Sequence, residues 1–197
     1  QLNTTPFPSS TDTVSSDLMA ALGLQQLLRL SPESDDPHAH SLDTAIRHAI
    51  ASLTVAQNES GSWGWSTGSP KGDRYSTART AWSLALARQA GYSVPDRCIA
   101  KATQYLSSQI TATAGGDLES KAMILHALSQ MGNSDFPLAN RIYRDRAALS
   151  KPGLLYLALT FIEMDRKQIG AELLASVDRR ASGAAGTTHA TPSPPPA

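Results

Sequence analysis

The sequence predicts an all-α domain, an α/α toroid in which inner and outer helices alternate, and three observations lead to this prediction. Between residues 12 and 180, apolar side chains recur every three to four positions, and no segment shows the two-residue alternation of a half-buried strand. Helices with one apolar face alternate along the chain with helices that are apolar almost all round. The apolar helices begin about forty residues apart, which is the length of a helical hairpin repeat.

Each helix is assigned to the outer or the inner layer from its apolar pattern. One-sided stripes such as Leu42, Ile46, Ala49 and Leu53 indicate outer helices, which pack one face and expose the other to water. Residues 78–90, 122–131 and 154–164 are apolar on nearly all sides, which is typical of helices enclosed by others. The predicted helices form about four hairpins and span residues 16–30, 41–57, 76–90, 96–109, 117–131, 137–149, 152–165 and 166–180.

Glycine and proline mark the ends of several helices. Gly91 ends one helix, Pro95 opens the next, and Gly132 ends another. We assign residues 1–15 to an N-terminal extended segment and 16–180 to the toroid domain. Residues 181–197 contain no large apolar side chain and are rich in proline near their end, so we expect a disordered tail or linker.

The composition excludes several classes of function. Seventeen basic and seventeen acidic residues give a net charge of zero, which argues against binding nucleic acid, since such binding needs a concentrated basic surface. No apolar run approaches the ~18 residues that span a bilayer. The single cysteine, Cys98, excludes an internal disulfide and a cysteine-based zinc cluster. We predict no metal or cofactor, and because the chain starts with Gln1 we expect a fragment of a longer protein.

The most informative stretch is a glycine- and tryptophan-rich turn between an outer and an inner helix, residues 57–75. Its glycines allow a tight turn, and Trp63 and Trp65 can fill the end of the hairpin while their indole N–H groups bond loop carbonyls. We favour this structural role. The alternative is an aromatic cluster of Trp63, Trp65 and Tyr75 that faces a ligand or a partner at the mouth of the toroid.

Acidic and histidine residues between the first two helices suggest enzyme chemistry only weakly. Residues 33–36, Glu-Ser-Asp-Asp, differ by one residue type from the Asp-x-Asp-Asp motif of terpene cyclases, in which paired carboxylates hold a proton for general-acid attack on an alkene. The same segment holds His38 and His40, which together with Asp35 or Asp36 could bind a metal. The segment lies between Pro32 and Pro37, so a solvated loop is the favoured interpretation.

The other polar candidates are assigned structural roles. We expect His48 at the surface of an outer helix and His126 as a hydrogen-bonded core histidine. No nucleophile and base can be paired. Four residues in one outer helix, Arg141, Arg144, Asp145 and Arg146, are expected to form ion pairs on the helix face, with a docking role as the alternative.

Two patterns resemble known families. The pattern Gln57-x3-Gly61-x-Trp63 resembles the tryptophan-containing repeat of α/α-toroid proteins such as the triterpene cyclases. A longer run resembles the thioester domain of bacterial alpha-2-macroglobulins: a Gly/Trp turn, an aromatic residue before a Thr-Ala helix, then Gly-Tyr-Ser-Val-Pro and an outer helix. The segments 120–132 and 138–174 continue this resemblance, which covers roughly residues 11–177.

The resemblance implies a domain of a large secreted, cell-envelope or periplasmic protein that traps a protease after the protease cuts a bait segment. In that family a thioester forms within Cys-x-Glu-Gln at the start of the domain. Here Ser9 stands at the cysteine position and Asp12 at the glutamine position, and neither can form the bond. Cys98 lies in an outer helix and cannot substitute. The resemblance thus implies a non-catalytic domain without a cofactor, whose partners are the other domains of the parent protein and, indirectly, proteases.

Two other functions stay open at this point. One is a toroid enzyme of the terpene-cyclase or prenyltransferase type, which the pattern from Gln57 to Trp63 supports and the missing acid motif weakens. The other is a stand-alone helical-repeat binding module. Four hairpins make an incomplete ring, so we also expect one open side that associates with a partner domain or a second copy.

Overall fold

The computed structural model describes residues 10–30, 39–66 and 68–185, and within these ranges the regular structure is helical apart from two isolated β-bridges. The predicted all-α fold is confirmed. The described residues form eight α-helices and one short 3-10 turn, Arg146–Ala148. The helices are α1 Thr11–Leu30, α2 Ala39–Val55, α3 Arg74–Gln89, α4 Asp96–Ala112, α5 Leu118–Gln130, α6 Phe136–Arg144, α7 Lys151–Glu163 and α8 Lys167–Ala185.

The helices form two layers, as the sequence predicts. The inner helices α1, α3, α5 and α7 pack on one another in that order. Each of α2, α4 and α6 packs on the outside against two successive inner helices, and α8 packs on α7. Within the described ranges, α7 makes no extensive contact with α1, so the helices form an arc of a toroid.

Apolar side chains between the two layers form the core. Leu18, Ile46, Leu84 and Leu106 are fully buried and join α1 to α4. A second cluster around Phe161 joins α5, α6, α7 and α8. The core therefore lies between inner and outer helices, which leaves the concave side of the inner helices free to form a surface.

Three predicted boundaries differ from the structure. Helix α1 begins at Thr11, so residues 11–15, which we assigned to an extended segment, form its first turns. Ser10 caps this helix, because its hydroxyl accepts a hydrogen bond from the Thr13 N–H at 3.0 Å. The predicted helix 137–149 ends at Arg144 and continues as the 3-10 turn, and α8 extends to Ala185. Ser9, the segment 31–38 with His38 and the acid motif, and residues 186–197 of the predicted tail lie outside the described residues.

Candidate functional site

The N-termini of the four inner helices lie side by side, and polar contacts join each to the next. The Thr11 N–H donates to the Trp65 carbonyl at 3.0 Å, which ties α1 to the turn before α3. Between α3 and α5, the Tyr75 and Ser120 hydroxyls lie 2.8 Å apart. Between α5 and α7, the Ser150 hydroxyl donates to Glu119 at 2.9 Å. We call this edge, residues 10–16, 63–66, 68–79, 117–120 and 150, the inner-helix rim.

An ion pair strengthens the contact between α3 and α5 at the rim. The Arg74 guanidinium lies 3.1 Å from a carboxylate oxygen of Asp117, the residue that caps α5 by accepting from the Ser120 N–H. Hydrogen bonding from Ser120 and the nearby Arg74 charge hold the pKa of Asp117 below its usual value. Asp117 thus stays ionised at neutral pH, which favours both the cap and the ion pair.

Trp63 is a core residue. Its side chain is 0% exposed, and its indole N–H donates to the Leu53 carbonyl at 2.7 Å. Its backbone carbonyl accepts from the Asp73 N–H at 2.9 Å, which closes the loop that precedes α3. The structure therefore separates Trp63 from the ligand-facing cluster that the sequence suggested as an alternative.

Trp65 and Tyr75, the other two members of that cluster, lie at the surface of the inner-helix rim. Their side chains are 69% and 48% exposed. They line an open depression of about 590 Å³ together with Ser69, Lys71, Gly72 and Asp73. The Arg74 guanidinium stacks 5.1 Å from the Tyr75 ring centre, which holds that ring in place. The rim thus presents two aromatic side chains beside the start of α1.

Gln57 and Gly61 explain why the cyclase-like pattern is present. The Gln57 side-chain amide donates to the Gly61 carbonyl at 3.1 Å and to the Cys98 carbonyl at 3.0 Å, which ties the turn to α4. Gly61 has a φ of +86°, a backbone conformation that favours glycine. Together with the burial of Trp63, these contacts account for the pattern by folding alone.

Asp12, the residue at the glutamine position of the thioester motif, forms an ion pair between α1 and α3. Its carboxylate lies 2.9 Å from the Arg79 Nε, and both side chains are about 40% exposed. A second guanidinium nitrogen of Arg79 donates to the Ser16 hydroxyl at 2.9 Å. The N-terminal cap of α1 is supplied by Ser10, which leaves the Asp12 carboxylate available for this ion pair. Sequence reasoning missed Arg79, although an arginine inside an apolar inner helix was the available signal.

The remaining thiol and imidazole groups are arranged as follows. Cys98 is buried, and burial raises the pKa of its thiol to about 11, so it is not a nucleophile at neutral pH. His48 is exposed on α2 and lines a groove of about 1200 Å³ between α1 and α2. His40 is exposed at the start of α2. In the part of the chain that the structure describes, no three His, Cys, Asp or Glu side chains gather as a metal site would require.

Two predicted polar contacts are wrong. His126 is a core residue, but neither ring nitrogen has a hydrogen-bond partner among the described residues, because aromatic and apolar side chains surround it. The group from Arg141 to Arg146 does not pair internally. Arg146 instead lies 3.5 Å from Glu172 of α8 and stacks 4.1 Å from the Tyr143 ring centre. This cross-helix pair was not visible from sequence spacing.

No helix in the described ranges is long and apolar enough to cross a membrane. A scan against protein-family models and a search of curated proteins give no match.

Comparison with solved structures identifies the class of fold and finds similar structures among known proteins. The class is the α/α-toroid type of helical domain, and the similar structures are bacterial alpha-2-macroglobulins. Native Escherichia coli alpha-2-macroglobulin matches with a TM-score of 0.66 at 19% identity, over 90% of this chain and 12% of that chain. The Salmonella protein reacted with methylamine gives 0.65 at 19% identity, over 88% and 12%.

A shorter Escherichia coli structure, from domain MG7 to the C-terminus, matches with a TM-score of 0.67 at 19% identity, over 90% of this chain and 30% of that chain. The chain therefore corresponds to between about an eighth and a third of the proteins it matches. At this identity the similarity shows the fold, and the resemblance stated from the sequence is confirmed at that level.

Proposed function

We propose that this chain is the thioester-type domain of a bacterial alpha-2-macroglobulin-like protein, and that it contributes to protease trapping or surface defence without a covalent thioester. The observation that carries this proposal is the similarity of fold over 90% of the chain to Escherichia coli alpha-2-macroglobulin. The resemblance of the run from Gly61 to Leu174 supports the same family. The parent protein would then act in the periplasm, in the cell envelope or outside the cell.

We infer the absence of covalent capture from the residues that the family resemblance places at the two thioester positions. A thioester needs a thiol and a carboxamide that releases ammonia, whereas this chain has Ser9 and Asp12 at the matching positions. The Asp12 carboxylate instead forms an ion pair with Arg79, which holds α1 against α3. We infer that a non-covalent contact replaces the covalent group at this point of the rim.

The exposed aromatic pair at the rim supports contact with a neighbouring domain. Exposed tryptophan is uncommon, and aromatic side chains are enriched among the residues that dominate binding energy at interfaces. Trp65 lies next to the start of α1, Tyr75 lies next to the start of α5, and Lys71 lines the same depression with its cation. The proposed partner of this surface is another domain of the same parent protein, and proteases are engaged indirectly by the assembled trap.

The absence of a thioester can be tested on the parent protein with labelled methylamine, a small nucleophile that opens thioesters. We expect no incorporation of label and no release of a new thiol, before or after cleavage by a protease such as trypsin. A protease held sterically should still cleave a small peptide but lose activity on a large protein substrate, and denaturant should release it intact. Label in the domain would contradict the non-covalent proposal, and unchanged cleavage of the large substrate would contradict trapping.

Replacement of Trp65 by alanine should weaken association between this chain and the rest of the parent protein by about tenfold or more, because a large exposed ring at an interface contributes strongly to binding. Calorimetric titration of the two separately produced parts measures the effect. Leu30→Ala is the matched control, since Leu30 is 73% exposed but lies at the C-terminal end of α1, opposite the rim. Equal affinities for the Trp65 variant and the wild type would contradict a docking role for the rim.

The enzyme alternative remains a prediction that a separate assay can test. The assay measures whether the purified chain converts an isoprenoid diphosphate, with and without added zinc. If it does, a cyclase or prenyltransferase function would replace the present proposal. Binding to unrelated proteins in the absence of any parent protein would instead favour a stand-alone binding module.

A further inference from the structure

A buried histidine occupies the middle of the inner row of helices. His126 of α5 is 2% exposed and packs against both Trp82 of α3 and Tyr156 of α7, whose rings also contact each other. The His126 and Trp82 ring centres are 4.6 Å apart with an angle of 77° between the planes, and the His126 and Tyr156 centres are 5.8 Å apart. Within the described ranges, neither nitrogen of this imidazole has a hydrogen-bond partner.

The surroundings of His126 suit a neutral ring and oppose a charged one. A small cavity of about 10 Å³ adjoins the imidazole. An imidazolium would carry two N–H donors and a positive charge, and a buried charge without acceptors is costly. The cavity is lined by Ala78, Arg79, Trp82, Met123, Ala127 and Tyr156.

The charged and titratable groups that face the ring give an imidazolium no counter-ion. From α3, Arg79 is itself a cation and is already paired with Asp12. From α7, Tyr156 offers a phenol. Helices α4 and α6 also pack on α5, but of their described side chains none that titrates lines the cavity, and no carboxylate lines it from any helix in the described ranges. Protonation of His126 therefore requires the ring to reach water.

Only the side chains of Trp82 and Tyr156 separate the His126 imidazole from water. Trp82 and Tyr156 are both partly exposed on the inner side of the arc, while His126 beneath them is buried. Movement of these two rings would hydrate the imidazole, and it would also separate Trp82 from the first core cluster and Tyr156 from the second, against which they pack. The same movement would loosen α5 from α3 and α7.

We propose that His126 makes the inner face of the arc acid-sensitive: protonation of its imidazole displaces Trp82 and Tyr156 and opens the contact between α3, α5 and α7. This inference is independent of the proposed role in protease trapping. The inner face then responds to acid by a change of conformation in which Trp82 and Tyr156 move.

The direction of the pH dependence follows from the two states of the imidazole. Burial lowers the pKa of His126 from 6.5 to about 4 in the closed state, whereas a hydrated ring in the open state titrates near its ordinary value. Above pH 6.5 both states are neutral, and the closed state has its full stability. As the pH falls from 6.5 to about 4, only the open state gains a proton, so the equilibrium shifts toward it by a factor of about 10²–10³.

NMR titration of the ring signals of the 197-residue chain from pH 7.5 to 3.5 tests the proposal. We expect His126 to keep the shift of a neutral imidazole below pH 6 and then to lose its contacts with Trp82 and Tyr156 as it becomes protonated. His126→Phe should remove the acid step in these ring contacts, because a phenyl ring does not titrate. His48→Gln, which removes an exposed histidine on α2, should keep the step.

Two results would overturn the proposal. One is a His126 that titrates near pH 6.5 while the contacts of Trp82 and Tyr156 stay intact. The other is a His126→Phe variant that shows the same acid step as the wild type. If the phenylalanine variant does not fold, the titration of the wild-type ring signals decides the question by itself.

Discussion

Replacing Trp63 by alanine is expected to lower the free energy of unfolding by about 3–5 kcal/mol, the range typical of a large aromatic side chain removed from a core. Trp63 is fully buried among residues of the first core cluster, and its indole N–H satisfies the Leu53 carbonyl. The variant leaves both a cavity and an unpaired carbonyl. Urea unfolding followed by circular dichroism measures the difference.

Trp65 provides the matched control for this prediction. Its side chain is 69% exposed, so Trp65→Ala should change the free energy of unfolding by no more than about 0.5 kcal/mol. The two variants remove the same side chain two positions apart in one loop, and only the burial differs. Equal losses of stability in the two variants would contradict the assignment of Trp63 to the core and of Trp65 to the surface.

The pair also shows what the sequence could not decide. Helix positions and layers were predicted from apolar periodicity, because burial on one side or on all sides leaves a pattern within each helix. Trp63 and Trp65 lie in a turn that has no such period. Their opposite environments come from backbone contacts, since the Trp63 carbonyl bonds Asp73 while the Trp65 carbonyl bonds Thr11 of α1.

The first turns of α1 were not predicted for a similar reason. Thr11, Thr13 and Val14 are β-branched and have low helix propensity, so the local sequence favours an extended segment. Contacts distant in sequence oppose this preference, because Asp12 pairs with Arg79 and the Ser15 hydroxyl lies 2.9 Å from that of Thr80. These contacts are made in the folded protein and are not visible in a window of local sequence.

The sequence identified several residues of the candidate site, but it did not predict their contacts with one another. Asp12, Trp65 and Tyr75 were identified from the motif and the family resemblance, and the structure brings them to one rim. Arg79 was missed, and so was the aromatic contact of His126, because residue spacing does not reveal which polar groups find a partner across helices. The apolar surroundings of His126 follow from tertiary packing of α3 and α7 on α5.

Replacing Gly61 by alanine is expected to cost about 3 kcal/mol or more of unfolding free energy, at or above the upper end of the usual range for single substitutions. Two effects combine. Gly61 has a φ of +86°, which a residue with a Cβ adopts only at a cost of about 1–2 kcal/mol. In addition, a Cβ at this position would overlap the backbone carbonyl of Lys101 on α4, which cannot rotate away as a side chain can. The overlap would push the turn from α4 and disturb the bonds that Gln57 makes to Gly61 and Cys98.

Gly68 separates the two effects, because its φ is +84° but a Cβ there meets no described atom within 4 Å. Gly68→Ala should therefore cost only the conformational part, about 1–2 kcal/mol. The difference between the two variants in urea unfolding measures the close approach of the turn to α4. If both glycine variants lose the same stability, the positive φ alone explains why glycine is needed at position 61. The contact between the turn and Lys101 would then place no further restriction on the residue at that position.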